Sequence, residues 1–154
     1  MRMRPLGQRR DRDRDRGSMA VEFVVAAPAL VLLLLLVSAG GQWLNLTGKV
    51  GSATRDAVRG ASLARTFADA QANARSAAQS DLGGVCNGGA PAVQVQLFQG
   101  GAQVGAGAFA TAQQIQVTVS CVASLAVFRV IGFPVSQTFA DTATAPLDPF
   151  VDRG

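Results

Sequence analysis

The feature that most constrains this chain is an apolar run of nineteen residues from Met19 to Val37. Within it, Glu22 is the only charged residue and Pro28 the only residue that breaks helices. About 20 consecutive apolar residues are needed for a helix to cross the hydrocarbon layer of a bilayer. About a dozen Leu, Val and Phe side chains, each contributing roughly 0.3 to 0.6 kcal/mol, outweigh a penalty of about 2.5 kcal/mol for one acid. The run therefore predicts a transmembrane helix.

The residues before this run carry the net positive charge of the whole chain. Residues 1–16 hold seven Arg and three Asp, which already equals the formal net charge of +4, so residues 17–154 are neutral. A nucleic-acid-binding arm would carry few acids, because each phosphate contact needs an uncompensated cation. We therefore expect no nucleic-acid partner and interpret residues 1–17 as a disordered basic leader. Arginines before the span, with Lys49 the first cation after it, predict a cytoplasmic N-terminus and an extracytoplasmic C-terminal region.

The apolar run allows three interpretations, which differ in where the chain is cut. A secretory signal peptide would be cleaved after the small residues Ser38-Ala39-Gly40, although such signals have shorter apolar regions without an acid. An uncleaved membrane anchor explains the length of the apolar run, but it gives no reason for the free-energy cost of placing Glu22 in the membrane. In the third interpretation the acid has a role, because Glu22 is the fifth residue after Gly17 and precedes an aromatic residue, Phe23.

The segment Gly17-Ser18-Met19-Ala20-Val21-Glu22-Phe23 resembles the processing site of type IV pilin precursors. Together with the Ala/Arg-rich segment "SATRDAVRGASLAR" that follows the span, it resembles a TadE-like minor pilin or pseudopilin of the tight-adherence (Flp-type IV) pilus assembly system. The resemblance implies that a membrane prepilin peptidase cuts between Gly17 and Ser18. Ser18 then becomes the new N-terminus and Glu22 the fifth mature residue. The implied partners are the lipid bilayer, the peptidase and other pilin or pilus-platform subunits.

Cleavage would give Glu22 a counter-charge. An ionised acid in hydrocarbon is costly and needs a partner, and the free amine of Ser18 would lie one helical turn away. In pilins generally this pairing is thought to set the vertical register of a joining subunit, because misplacing it leaves both charges unpaired. The alternative is that Glu22 lies at the headgroup level, where it costs little.

The residues after the span predict an extracytoplasmic amphipathic helix over 42–82. Gly40-Gly41 would loosen the helix, and Trp43 suits the membrane interface. Apolar residues then recur at steps of three and four, which is the period of one helix face. They are Leu46, Val50, Ala53, Ala57, Ala61, Ala64 and Phe67. The segment "FADAQANARSAAQSD" continues this helix as far as "DLGG". Because most of the stripe is alanine, we expect another helix or a sheet to approach closely.

Residues 83–154 predict a small β-rich region. Residues 93–97 and 115–121 alternate apolar and polar side chains, as half-buried strands do, and residues 135–144 suggest a last strand. The segment "QGGAQVGAGA" reads as a turn-rich connection, residues 122–132 are apolar without a clear period, and the tail "APLDPFVDRG" reads as irregular. The domain order is then leader 1–17, transmembrane helix 18–41, amphipathic helix 42–82 and a β-rich region 83–154. The predicted fold class is α+β, with a long N-terminal hydrophobic helix and a helix packed on a small antiparallel sheet, as in pilins.

Cys86 and Cys121 are the only two cysteines. In an extracytoplasmic region they predict one disulfide between the helix-to-strand connection and the second of the predicted strands. The chain has no His and no close CxxC pair, so we expect no metal, no cofactor and no thiol chemistry.

An assembly protein of the membrane is therefore the first functional hypothesis. An envelope enzyme is the second, but the sequence contains no nucleophile elbow, phosphate loop or paired-carboxylate pattern, so we expect no enzyme and no small-molecule substrate. The third is a secreted or membrane-anchored binding module with no pilus role.

Overall fold

The computed structural model describes the backbone of residues 9–126, 128, 132 and 135–147, with side chains described from Glu22 onward. The chain divides into two compact units, Met1–Gly40 and Gly41–Gly154. The first is helical throughout its described part, and the second combines helices with a sheet.

The first helix, α1, covers Arg9–Ser62. The sequence predicted a disordered leader up to Gly17, but α1 already includes its last nine residues; residues 1–8 lie outside the described part. The helix also continues through Gly40 and Gly41, where the sequence predicted loosening.

The predicted helix over 42–82 is divided in two. After α1 ends at Ser62, the chain turns, and a second helix, α2, covers Phe67–Leu82. Thr66 caps α2: its hydroxyl accepts a hydrogen bond from the Asp69 backbone N–H at 3.1 Å and donates one to the Asp69 carboxylate at 2.8 Å. Capping of this kind satisfies backbone donors that the first turn of a helix leaves free, and it fixes where the helix begins.

The second unit contains a four-stranded antiparallel sheet. Its strands are β1 Ala92–Gln99, β2 Ala102–Val104, β3 Gln114–Ser124 and β4 Ser136–Pro146, in the order β2-β1-β3-β4. The structure thus confirms the α+β class. It also shows a strand that the sequence did not predict, because β2 and a 3-10 turn over Ala106–Ala108 occupy the glycine-rich connection. Residues 148–154, the rest of the predicted irregular tail, lie outside the described part.

The core of the second unit lies between the helices and one face of the sheet. The alanine-rich stripe of α1 is buried as predicted: Ala53, Ala57 and Ala61 are fully covered, and Leu46 and Phe67 pack at its margin. On α2 the buried positions are four residues apart, and all but the last are alanine. They are Ala70, Ala74, Ala78 and Leu82. The sheet contributes larger side chains, namely Leu97, Ile115, Val117 and Val119. Small residues on the helices thus let their backbones approach the branched side chains of the sheet.

Candidate membrane and assembly surface

The apolar part of α1 buries almost nothing against its own chain. From Phe23 to Val37 its large apolar side chains are 55% to 76% exposed, apart from the half-buried Leu35. Monomeric soluble proteins rarely leave so large a contiguous apolar surface uncovered, and a patch of this kind marks contact with a membrane or with another protein. This surface therefore suits contact with lipid or with other helices.

Within the described residues, one helical stretch, Glu22–Ser62, is long and apolar enough to cross a membrane. Its most apolar window has a mean hydropathy of 2.6, and none of that window is buried. Pro28 lies inside the helix. A proline removes one backbone donor, and transmembrane helices tolerate it because neighbouring groups satisfy the freed carbonyl. The 24 positions from residue 18 to residue 41 would extend about 36 Å as a helix, enough to cross a hydrocarbon core of about 30 Å.

Glu22 stands at the start of this exposed surface. Its side chain is exposed, and Phe23 beside it is 76% exposed. The carboxylate is followed by 26 uncharged residues up to Lys49. Any partner that covers the apolar part of α1 therefore contacts one carboxylate, that of Glu22, at the N-terminal end of the apolar surface.

Gly17 and Ser18 lie within the helical backbone of α1. Positions 18 and 22 are four residues apart, a spacing that puts them on the same face of a helix, about 6 Å apart along its axis. Gly17 is the weakest helix former near this point, since glycine is less favourable than alanine by about 1 kcal/mol. Positions 18 and 22 thus lie on one face of α1.

Trp43 has a contact that the sequence did not reveal. Its ring packs against Phe139 of β4, and the two residues line a groove of about 220 Å³ together with Thr47, Val50, Thr138 and Ala140. No sequence signal links residues 43 and 139, because the contact depends on tertiary packing.

Cys86 and Cys121 form a disulfide, as the sequence predicted. Cys86 lies in the connection after α2, and Cys121 is buried on β3, the third strand along the chain. A backbone hydrogen bond of 2.6 Å from Asn87 N–H to the Val122 carbonyl adjoins the bridge. Together they tie the end of α2 to the sheet.

The described residues contain no group of three or more His, Cys, Asp or Glu side chains that could hold a metal ion. The fold and the uncovered helix thus describe a class: an α+β protein with one candidate membrane helix near its N-terminus, which fits a membrane-anchored protein.

Residues 17–59 match the family model of the TadE-like proteins. The resemblance predicted from Gly17, Glu22 and the Ala/Arg-rich helix is therefore confirmed over this part of the chain. The TadE-like family is a pilus-associated structural family and is not a known enzyme family. No curated protein and no solved structure matches the chain.

Proposed function

We propose that this chain is a minor pilin-like subunit that assembles a tight-adherence (Flp-type) pilus from the membrane. In this proposal a prepilin peptidase cuts between Gly17 and Ser18, and the mature protein begins at Ser18. The apolar part of α1 first holds the subunit in the bilayer and then packs against the helices of other pilin or platform subunits. The second unit lies on the extracytoplasmic side.

The observation that carries the proposal is the uncovered helix that begins with a carboxylate. The large apolar side chains from Phe23 to Val37 are more than half exposed, apart from the half-buried Leu35, so the same surface suits lipid before assembly and neighbouring helices after it. The family match begins at Gly17 and extends to Arg59, and it thus includes the proposed cleavage position, Glu22 and the apolar helix.

Charge pairing gives Glu22 its proposed role. A carboxylate inside hydrocarbon is expensive unless it has a partner, and cleavage creates an amine at Ser18 on the same helix face. Within one subunit or between neighbours, the amine and the carboxylate can neutralise each other. A subunit that sits too deep or too shallow would leave both charges unpaired, so the pair would fix the depth at which each copy joins.

The proposed orientation follows from charge. Seven Arg and three Asp precede residue 17, whereas Lys49 is the first cation after the apolar run, and the side with the basic flank tends to stay in the cytoplasm. The disulfide between Cys86 and Cys121 supports an extracytoplasmic second unit, because disulfides persist in oxidising compartments.

The alternative function is an extracytoplasmic binding module, secreted or membrane-anchored, with no pilus role. The exposed apolar helix would then be a signal sequence, which passes the same length and hydropathy test, or a plain anchor. Under this alternative the carboxylate of Glu22 has no counter-charge. Replacing Glu22 should then affect membrane insertion only.

Replacement of Glu22 separates these functions. We expect Glu22→Ala to insert into the membrane normally, since removing a charge from an apolar helix makes insertion more favourable, and to be depleted from the assembled surface structure. Insertion is measured by resistance of the protein to alkaline extraction from membranes, and assembly by its amount in sheared surface fractions.

Two matched variants serve as controls. Val24→Ala shortens a side chain at another exposed position of the same helix and keeps the acid, so it should assemble normally. Glu22→Asp keeps the charge on a shorter side chain and should retain part of the assembly. Normal amounts of Glu22→Ala in the sheared fraction would contradict the register role of the carboxylate.

A further inference from the structure

The two edge strands of the sheet differ greatly in length. β2 forms one edge and β4 the other. An edge strand has unpaired backbone donors and acceptors, which can pair with another chain, and natural proteins limit this risk with short edge strands, prolines, bulges or inward-pointing charges. β2 is only three residues long. β4 has 11 residues, about twice the common length of a strand, so β4 is the edge that needs protection.

β4 has few of these protective features. It pairs with β3 in one continuous register from Ser136 to Pro146, without a bulge. Its one proline, Pro146, is its last residue. Within the described residues, no strand pairs with the outer edge of β4. Asp141 is the only charged residue in the four strands, and it is the one feature in the middle of β4 that opposes pairing.

Asp141 points inward, toward α1. It is directly opposite Val119 of β3, on the same face of the sheet, and Val119 is fully buried in the core. The Oδ2 atom of Asp141 lies 3.7 Å from the position that a Cβ atom on Gly51 of α1 would occupy. The Asp141 side chain is half-buried, and among the described residues it has no hydrogen bond or ion pair. Water must therefore solvate the carboxylate, and it reaches Asp141 from the open edge of β4.

Asp141 is also the middle residue of β4. Residues 136–140 precede it in the strand and residues 142–146 follow it. When two copies of a strand pair antiparallel about a two-fold axis over their full length, their middle residues are directly opposite each other. Two copies of β4 would therefore bring two Asp141 side chains together, with Cβ atoms about 4.5 to 5.5 Å apart. A shift of the pairing by two residues would still leave them diagonal to each other, about 7 to 8 Å apart.

We propose that Asp141 prevents the open edge of β4 from pairing with β4 of a second copy. Such pairing would remove water from both carboxylates and place like charges opposite each other, and each effect costs free energy. The inference rests on the sheet of the second unit and not on pilus assembly, on cleavage at Gly17 or on the membrane helix. Where many copies collect, Asp141 would leave their association to surfaces other than the sheet edge.

Cross-linking between chains tests the proposal with the full protein in detergent. In a symmetric pair of β4 strands, Ala140 of one chain is opposite Thr142 of the other, and both residues are exposed. One chain would carry Ala140→Cys and the other Thr142→Cys, while the native cysteines are held in their disulfide. Directly opposite residues of paired strands lie within the Cα distance that a disulfide bridges. An intermolecular disulfide between positions 140 and 142 therefore reports pairing of the β4 edges, whatever contacts the apolar helices make.

The charge at position 141 is then varied in the two chains. We expect little cross-linked dimer when both chains keep Asp141. Asp141→Asn in both chains should raise the amount of dimer at least about fivefold. A chain with Asp141 mixed with an Asp141→Lys chain should also form more dimer, because the opposed charges then attract, whereas Asp141→Lys in both chains should not. Asp81→Asn is the matched control, since it removes a carboxylate from an exposed position of α2, and it should leave cross-linking low.

Two results would overturn the proposal. Equal cross-linking with Asp141 and with Asp141→Asn would show that the carboxylate does not oppose pairing. Low cross-linking in every combination, from variants that keep the native circular dichroism and the disulfide between Cys86 and Cys121, would show that the edge stays unpaired without the charge. Asp141→Thr provides a second neutral variant if Asp141→Asn does not fold.

Discussion

Trp43 packs edge to face on Phe139, with ring centroids 4.9 Å apart and ring planes at 62°. Phe139 is 5% exposed and Trp43 is 42% exposed. Edge-to-face pairs of this kind add about 0.5 to 1.5 kcal/mol to the stabilisation from burial alone. The pair joins the part of α1 that enters the second unit to β4, so it holds the helix to the sheet.

Phe139→Ala should destabilise the second unit by about 3 to 5 kcal/mol, because it removes a buried ring and leaves a cavity under Trp43. Trp43→Phe keeps an aromatic pair at a half-exposed position, so it should destabilise the second unit clearly less than Phe139→Ala. The free energy of unfolding, measured by circular dichroism in detergent with increasing urea, checks both variants. Equal losses for the two would contradict a buried anchoring role for Phe139.

Removing the disulfide should destabilise the second unit by about 4 kcal/mol in the chain-entropy account of a closed loop. The bridge joins residues 35 positions apart in a unit whose helices contribute mainly alanine to the core. Cys86→Ser and Cys121→Ser should therefore each lower the amount of exported protein, as measured by immunoblotting of membrane fractions. Both thiols reacting with an alkylating reagent in the native protein would contradict the bridge.

Enlarging an alanine on the buried face of α2 should disrupt its packing. Ala74 is fully buried, whereas Ala72 on the same helix is exposed. Ala74→Leu should cost about 1 to 3 kcal/mol, because a close-packed site has no room for three more carbon atoms. Ala72→Leu makes the same chemical change on the exposed face and should be nearly neutral. Thermal unfolding of both variants by circular dichroism distinguishes the two positions, and a neutral Ala74→Leu would contradict the close approach of α2 to its neighbours.

The turn between β1 and β2 should tolerate asparagine but not valine at Gly100. Gly100 and Gly101 both have positive φ, 57° and 83°, as the two central residues of a type I′ hairpin do. A β-branched residue at positive φ costs roughly 1 to 2 kcal/mol, whereas Asn-Gly is a preferred pair for this turn. Gly100→Val should therefore lower the urea midpoint and Gly100→Asn should leave it nearly unchanged. A similar midpoint for the two variants would argue against this turn geometry.

Most of the fold could be predicted because its signals are local. The apolar run predicts the first helix, and the alternation at residues 93–97 and 115–121 predicts β1 and β3, since one face of each strand is buried. The spacing of Val50, Ala53 and Ala57 likewise predicts which face of α1 is covered. In each case burial on one face sets the spacing of the apolar residues, so this spacing can be read from the sequence.

The features that the sequence analysis missed have weak or distant signals. The turn after Ser62 contains no Gly or Pro, although Thr66 and Asp69 have the spacing of a capping box and could have indicated a new helix start. β2 is three residues long in a glycine-rich stretch and forms by pairing with β1, so it has little pattern of its own. The contact of Trp43 with Phe139 joins positions 96 residues apart and depends on tertiary packing.

The N-terminus of the natural product tests the central claim most directly. Protein isolated from native membranes and from sheared surface material would be identified by intact mass and N-terminal sequencing. The account predicts a mature chain that begins at Ser18, with Glu22 as its fifth residue. A chain that still begins at Met1, or one that begins at Gly41 beyond the apolar run, would contradict it.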